Sequence, residues 1–107
     1  MARDTAGVPL RTDRPFVEEL PALLKQRGLS LTKLAQRIDL NPSHLSRVLR
    51  RADYKTPSAD LTRRVALGLG LPPDYFPEYR EGFVLERIKR NADLRDELYS
   101  KLTSRKQ

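Results

Sequence analysis

Cysteine is absent from the 107-residue sequence, histidine occurs once, and aromatic residues are few: three phenylalanines, four tyrosines and no tryptophan. Without cysteine there is no disulfide framework, no thiolate zinc site and no cysteine nucleophile. A single histidine, His44, is too little for a histidine-rich metal site or for the histidine-dependent chemistry of most hydrolases. The chain also has no glycine-rich loop of the kind that cradles phosphate. The sequence therefore predicts a protein that is not an enzyme and that holds no metal or other cofactor.

Long apolar runs are also missing. No stretch approaches the roughly 20 residues that a transmembrane helix requires, and the opening "MARDTAGVPLRTDR" lacks the apolar centre of a secretory signal. We therefore expect no membrane span and a cytoplasmic, nucleoid-associated location. Positive charge is in excess, with a formal net charge of +7 and a pI near 10.1. This balance favours a polyanionic partner, which can be a nucleic acid, an acidic protein or an anionic surface.

Apolar residues recur at helical spacing along the chain, and no strand signal or repeat interrupts them. The predicted fold class is all-α, a compact bundle of about five short helices with an added C-terminal helix. The helical pattern begins at Phe16, and Pro21 leaves a start near Glu19 or a bend there as alternatives, because proline is poor in a helix interior. Start and stop signals predict helices at 16–27, 31–38, 42–51, 59–69, about 80–90 and about 92–103.

Two helix starts follow closely on each other between residues 30 and 51. Ser30 is a good N-cap for a helix with a one-faced apolar stripe, and Asn41 followed by Pro42 is a second start signal. Asp39 lies where the chain must turn sharply, and aspartate tolerates a left-handed conformation better than most residues. The sequence thus predicts two short helices joined by a tight turn.

The second of these helices, in the stretch "NPSHLSRVLRR", has two opposed faces. At 100° per residue, Leu45, Val48 and Leu49 cluster on one side. The opposite side carries Ser43, Arg47 and Arg50, flanked by His44, Ser46 and Arg51. Such a face of short donors and long cations fits the major groove of DNA, where arginine can bind guanine through two hydrogen bonds. The alternative is a solvated surface helix, since basic amphipathic helices are common.

In this order, "GLSLTKLAQRIDLNPSHLSRVLRR", "TPS" and "VALGLGLPPDYF" resemble the XRE family of lambda-repressor-like, Cro-type helix-turn-helix regulators. The resemblance covers roughly residues 16–77. It implies a bundle of about five helices, with the helix at 42–51 as the recognition helix. It also implies transcriptional regulation, as a repressor or an activator, and usually binding of double-stranded DNA as a homodimer at pseudo-palindromic sites.

The resemblance also assigns contacts by position. It implies base contacts from Pro42, Ser43, His44, Ser46 and Arg47. It implies phosphate contacts from Ser30, Thr32, Lys33, Arg50, Arg51, Lys55 and Thr56. The sequence departs from the family pattern where Leu31 replaces a common glutamine and where the recognition helix ends in "LRR" without glycine. Asp39 stands where the turn is often glycine, and the loop "ADYKTP" is about two residues longer than is common in the family.

The remaining regions give three further predictions. We divide the chain into a flexible basic arm (1–14), the helix-turn-helix domain (15–79) and C-terminal helices (80–107). Arginines of the arm, Arg3, Arg11 and Arg14, could enter a minor groove, and Arg63 and Arg64 are expected to be solvated. In the last helix, an apolar stripe either packs on its own domain or forms a dimer contact. Its members are Leu94, Leu98, Tyr99 and Leu102.

Two other functions compete with specific regulation. The first is a protein-binding module, such as an antitoxin-like partner, that uses the C-terminal helix to bind another protein. The second is a nucleoid-type protein that coats DNA with little sequence preference, for which a strong salt dependence with a small specificity ratio would be diagnostic.

Overall fold

A computed structural model of the chain describes residues 10–51 and 55–104, and these residues form helices but no strands. The helices are α1 (Phe16–Arg27), α2 (Leu31–Arg37), α3 (Pro42–Arg50), α4 (Ala59–Gly68), α5 (Pro77–Arg90) and α6 (Ala92–Ser104). The predicted all-α class is confirmed. Helix α1 runs unbroken through Pro21 from Phe16, so the alternative start near Glu19 is wrong.

Side-chain caps start three of the helices where the sequence predicts them. Ser30 Oγ accepts a hydrogen bond from Lys33 N, and Ser58 Oγ accepts one from Leu61 N, both at 3.1 Å. Asn41 Oδ1 accepts one from Ser43 N at 2.8 Å. Each cap pairs a backbone N–H that the first turn of a helix leaves without a partner. These local bonds place the start of each helix at a defined residue.

The core lies where α1, α2, α3 and α4 meet the aromatic segment before α5. The fully buried apolar side chains come from each of these elements; they include Phe16, Leu20, Leu34, Leu45, Val65 and Phe76. Phe16 and Phe76 pack edge to face with 4.9 Å between ring centroids. In the segment "LPPDYFPEY", Tyr75 and Phe76 are therefore both part of the core.

The segment before α1 is not a flexible arm over residues 11–14, and that part of the prediction is wrong. Thr12 is buried, its N–H donates to Tyr75 O at 3.0 Å, and its carbonyl accepts from Arg80 Nη2 at 2.8 Å. Arg11 also pairs with Asp74 at 3.1 Å. No periodic signal marks these residues, because their bonds reach residues more than 60 positions away in the chain. Residues 1–9, with Arg3, lie outside the described residues.

Helix α5 starts at Pro77, so the predicted domain boundary between residues 79 and 80 falls inside a helix and is corrected. In its first turn, Glu78 Oε2 accepts a hydrogen bond from Phe16 N at 3.0 Å, which caps α1 from a distant part of the chain. Phe83 and Val84, two of the apolar residues of α5, are about half exposed. The prediction of a solvated Arg64 is also wrong, since its Nη2 donates to Ile38 O at 2.6 Å.

The C-terminal helices project from the core. Neither α5 nor α6 contains a fully buried residue, and the main contact of α6 is with α5. The radius of gyration is 16.6 Å, against about 13 Å for a compact domain of this length. Helix α6 is nevertheless formed where it was predicted, with Glu97 and Lys101 paired at 3.4 Å along its surface.

Candidate nucleic-acid interface

A tight turn sets the angle between α2 and α3. Asp39 has φ = 58°, in the left-handed region that its side chain tolerates, as predicted. After it, Leu40 N donates to Ala35 O at 2.8 Å and closes the end of α2. Asn41 then caps α3, with Pro42 in the first helical position. The chain therefore reverses within four residues, and α3 leaves the turn in one fixed direction.

The two faces of α3 lie as the helical spacing predicts. Leu45 is fully buried, and Val48 and Leu49 are half-buried against the core. Ser43 and Arg47, together with His44 and Arg50, are exposed, while Ser46 is half-buried. Because the apolar side fixes the roll of the helix on the core, the polar side chains share one outward-facing surface.

A cleft between the start of α2 and the outer side of α3, here called the α2–α3 cleft, brings together six predicted contact residues. Its lining consists of Leu31, Thr32, Pro42, Ser43, Ser46, Arg47 and Arg50. Within it, Arg50 Nη1 donates to Ser46 Oγ at 2.8 Å across one turn of α3. This bond directs the Arg50 guanidinium along the helix, and Arg47 lies beside it as an exposed cation.

A second cleft, here called the α3–α4 cleft, lies between the other edge of α3 and the start of α4. It is lined by His44, Arg47, Val48, Arg51, Lys55, Thr56, Pro57, Ser58 and Leu61. Arg47 therefore lines both clefts. Among the side chains described, those of Arg47, Arg51 and Lys55 form no ion pair with a carboxylate. The region between α3 and α4 thus presents cations and hydroxyls together.

Three other arginines bind backbone carbonyls within the domain. Arg37 Nη1 donates to Gly68 O at 3.2 Å, Arg27 Nη1 donates to Leu69 O, and Arg64 holds the carbonyl of Ile38. All three bind carbonyls at the ends of helices, where backbone acceptors lack a partner within the helix. These bonds leave the charge of each arginine in place but occupy part of its guanidinium donors. Among the described residues, Arg47, Arg51 and Lys55 beside α3 form no such bond and no ion pair.

The remaining predicted contact residues do not line either cleft. The Ser30 hydroxyl is engaged as the α2 cap, and Lys33 is exposed in the first turn of α2. Residues 52–54 of the predicted contact loop lie outside the described residues. Sequence reasoning missed Pro57 and Ser58 as cleft residues, although "TPS" was noted as a motif and Ser58 as a cap. Their position depends on how α4 packs beside α3, which local sequence does not specify.

The predicted dimer residues of α6 divide into two pairs. Leu94 and Leu98 are half-buried, whereas Tyr99 and Leu102 are 68% and 62% exposed. On helix α5, Val84 and Leu85 are each 52% exposed, and they are not among the predicted dimer residues. We call Val84, Leu85, Tyr99 and Leu102 the C-terminal apolar residues. They are the large apolar side chains that α5 and α6 leave in solvent away from α4.

Comparison with known proteins gives one match. A model of the helix-turn-helix family matches residues 22–76, just over half of the chain. No curated protein and no solved structure matches the chain.

The described helices include none that is long and apolar enough to cross a membrane. Over the same residues, no group of three or more histidine, cysteine, aspartate or glutamate side chains is placed to hold a metal ion.

Proposed function

The chain belongs to the XRE family of helix-turn-helix proteins, whose domain binds DNA, and we propose that it is a sequence-specific regulator that inserts α3 into the major groove. The observation that carries the proposal is the outward face of α3. There the base-reading candidates Ser43, Ser46 and Arg47 line one cleft. The major groove is wide enough for a helix and displays a distinct donor and acceptor pattern for each base pair.

The residues of α3 then take different roles. Arg47 binds a guanine through its O6 and N7, and Ser43 donates to a neighbouring base edge. Arg50 is bonded to Ser46 and orders it. Arg51, Lys55 and the hydroxyl of Thr56 contact phosphates from the α3–α4 cleft, as do Ser30, Thr32 and Lys33 from the first turn of α2. Phosphate contacts supply affinity and salt dependence, and base contacts supply preference.

The regulator acts as a homodimer in this proposal, with the C-terminal apolar residues at the contact. A 13-residue helix is marginal in water without a packed face, yet α6 buries no residue. A second copy would cover Tyr99 and Leu102 together with Val84 and Leu85 of α5. It would also supply the second reading helix for a two-fold site with half-sites about one helical turn apart. Binding to chromosomal DNA would place the protein on the nucleoid and let it repress transcription.

A selection from random duplexes tests DNA binding, preference and half-site spacing together. We expect a two-fold motif to be enriched. On the best site, Arg47→Ala should weaken binding by about 1–3 kcal/mol and relax one base position. Lys25→Ala is the matched control, because it removes an equal charge from the exposed surface of α1, outside both clefts. Enrichment of no motif by the wild-type protein would overturn sequence-specific regulation.

The solution mass of the free protein tests the dimer. Leu102→Glu should shift the mass from dimer to monomer, whereas Ser100→Glu should leave it unchanged, since residue 100 lies on the opposite side of α6. A wild-type monomer at all concentrations, with and without DNA, rejects the homodimer. If a protein partner then co-purifies and Leu102→Glu abolishes its binding, the antitoxin-like alternative is favoured. Strong binding without sequence preference favours the nucleoid-type alternative.

A further inference from the structure

A third groove lies on the other side of the start of α4, against α5, and neither the sequence reasoning nor the proposed function uses it. It is lined by Ala59, Tyr79, Gly82, Phe83, Glu86, Arg87 and Arg90. We call it the α4–α5 groove. Its lining on α5 recurs every three or four residues, so the groove follows one side of that helix for about three turns. Its opposite wall is the first residue of α4.

Helix α5 crosses α4 closely and then continues beyond the crossing. A Cβ atom placed on Gly82 would lie 2.8 Å from Ala59 Cβ, so the two backbones are nearly in contact there. Residues 83–90 of α5 follow the crossing, which corresponds to about 12 Å of helix. Ser58 lines the α3–α4 cleft and Ala59 lines the α4–α5 groove. The two depressions are therefore neighbours, separated by the first turn of α4.

The part of α5 beyond the crossing is basic. Its charged residues are Glu86, Arg87, Lys89 and Arg90. The Arg87 guanidinium lies over the Phe83 ring at 4.8 Å from the centroid, and within the described part of the chain it pairs with no carboxylate. The negative face of the ring attracts the cation and favours its position in the groove. Arg90 pairs with Glu86 at 3.0 Å, but both side chains are exposed, so this bond is weak and exchangeable.

We propose that residues 83–90 of α5 form a second phosphate-binding element, in which Arg87, assisted by Arg90, binds the backbone of duplex DNA. The proposal rests on the proposed function. In this proposal, a strand whose phosphates meet Arg51 and Lys55 in the α3–α4 cleft continues past the first turn of α4 to the α4–α5 groove, because Ser58 lines the first depression and Ala59 the second. The contact with the Phe83 ring biases Arg87 towards the groove, which lowers the side-chain entropy that is lost when Arg87 binds a phosphate.

Phosphate binding by Arg87 and Arg90 is compatible with the proposed dimer, because the two contacts use different sides of α5. On a helical wheel, Arg87 and Arg90 share the groove side with Tyr79 and Phe83, whereas Val84 and Ile88 lie on the far side. The dimer contact and the phosphate contact would therefore use different sides of one helix. An acidic protein could also meet the basic groove, and the salt dependence of DNA binding separates the two partners.

The test measures the DNA affinity of the full-length protein between 50 and 300 mM salt on the selected site and on an unrelated duplex. Each phosphate contact contributes about 0.9 to the slope of log K against log salt. Arg87→Ala should lower the slope by about 0.9 and weaken binding at 0.1 M salt by about 8-fold on both duplexes. Lys89→Ala is the matched control, because it removes the same charge from the same turn but lies outside the groove.

Arg87→Lys separates charge from shape. It keeps the cation and should retain most of the salt slope, while Arg87→Ala combined with Arg90→Ala should lower the slope by about 1.8. An Arg87→Ala slope equal to that of the wild type overturns the proposal, whether or not the solution mass changes. Equal losses in Arg87→Ala and Lys89→Ala also overturn it, since they indicate general charge only. Failure of the wild type to bind any duplex instead removes the proposed function itself.

Discussion

At the contact between α4 and α5, the effect of one substitution on the free energy of unfolding should change sign with the residue that faces it. Gly82 lies inside α5, where alanine is favoured over glycine by about 1 kcal/mol. Helix propensity alone therefore predicts that Gly82→Ala stabilises the protein. The added Cβ would, however, lie 2.8 Å from Ala59 Cβ, whereas non-bonded carbons prefer about 3.5–4.0 Å. Neither methyl group can rotate away, so the helices must separate.

The magnitudes decide the outcome. Overpacking of this kind costs about 1–3 kcal/mol, which exceeds the gain in propensity, so Gly82→Ala should lower the free energy of unfolding by about 1 kcal/mol. In an Ala59→Gly background the clashing methyl is gone, and the next atom, Ala59 Cα, lies 3.9 Å away. Gly82→Ala should then raise the free energy of unfolding by about 1 kcal/mol. The coupling between the two positions is therefore about 2 kcal/mol, within the usual range for contacting residues.

Urea unfolding of the wild type, both single variants and the double variant gives the four free energies of this cycle. The sign of the Gly82→Ala effect should be opposite in the two backgrounds. If Gly82→Ala stabilises the protein equally in both, the helices are not in contact at this position and the reasoning is refuted. The same result would place the α4–α5 groove in doubt, because its walls meet at these two residues.

Two further predictions concern the core and the turn. Burial, with a hydrogen bond from the Tyr75 hydroxyl to Glu19 Oε2 at 2.6 Å, raises the pKa of Tyr75 from 10.0 to about 12. The pKa of Tyr75 is therefore higher in the folded protein than in the unfolded chain. The contribution of Tyr75 to the free energy of unfolding is complete below pH 10 and is lost as the pH rises from 10 to 12. It amounts to about 2–3 kcal/mol, and Tyr75→Phe should lack that decline; an identical pH profile in both proteins would contradict it. Asp39→Gly should raise the free energy of unfolding in urea by about 0.5–1 kcal/mol, because glycine accepts φ = 58° without strain. No such gain is expected from Asp39→Ala, and a loss in the glycine variant would show that the aspartate side chain contributes a bond of its own.

Much of the candidate site was predictable because its signals are local. The cap residues Ser30 and Asn41 accept hydrogen bonds from N–H groups two or three positions away. At Asp39, the residue type itself favours the left-handed φ angle of the turn. The roll of α3 follows from the spacing of Leu45, Val48 and Leu49. Each of these effects operates within one or two turns of helix, which is the range that the sequence pattern expresses directly.

Other features depend on residues far apart in the chain. Whether an arginine is free for a ligand was not predictable, because Arg64 is engaged by a carbonyl 26 positions away and Arg80 by one 68 positions away. The same reason explains why residues 11–14 were mistaken for a flexible arm. Thr12 takes part through its backbone N–H and carbonyl, which bind Tyr75 O and the Arg80 guanidinium. Any residue type offers that carbonyl, so the type of residue 12 does not signal the contact.

The sequence by itself determined the six helices to within a few residues, the tight turn before α3 and the two faces of that helix, since all of these follow from short-range sterics, capping and periodicity. Only the tertiary structure decided which cations remain available. It brought Pro57 and Ser58 into the α3–α4 cleft, and it set Arg87 in a groove beside α4. Those outcomes depend on how helices cross, and the crossing of α5 at Ala59 is possible because Gly82 carries no side chain.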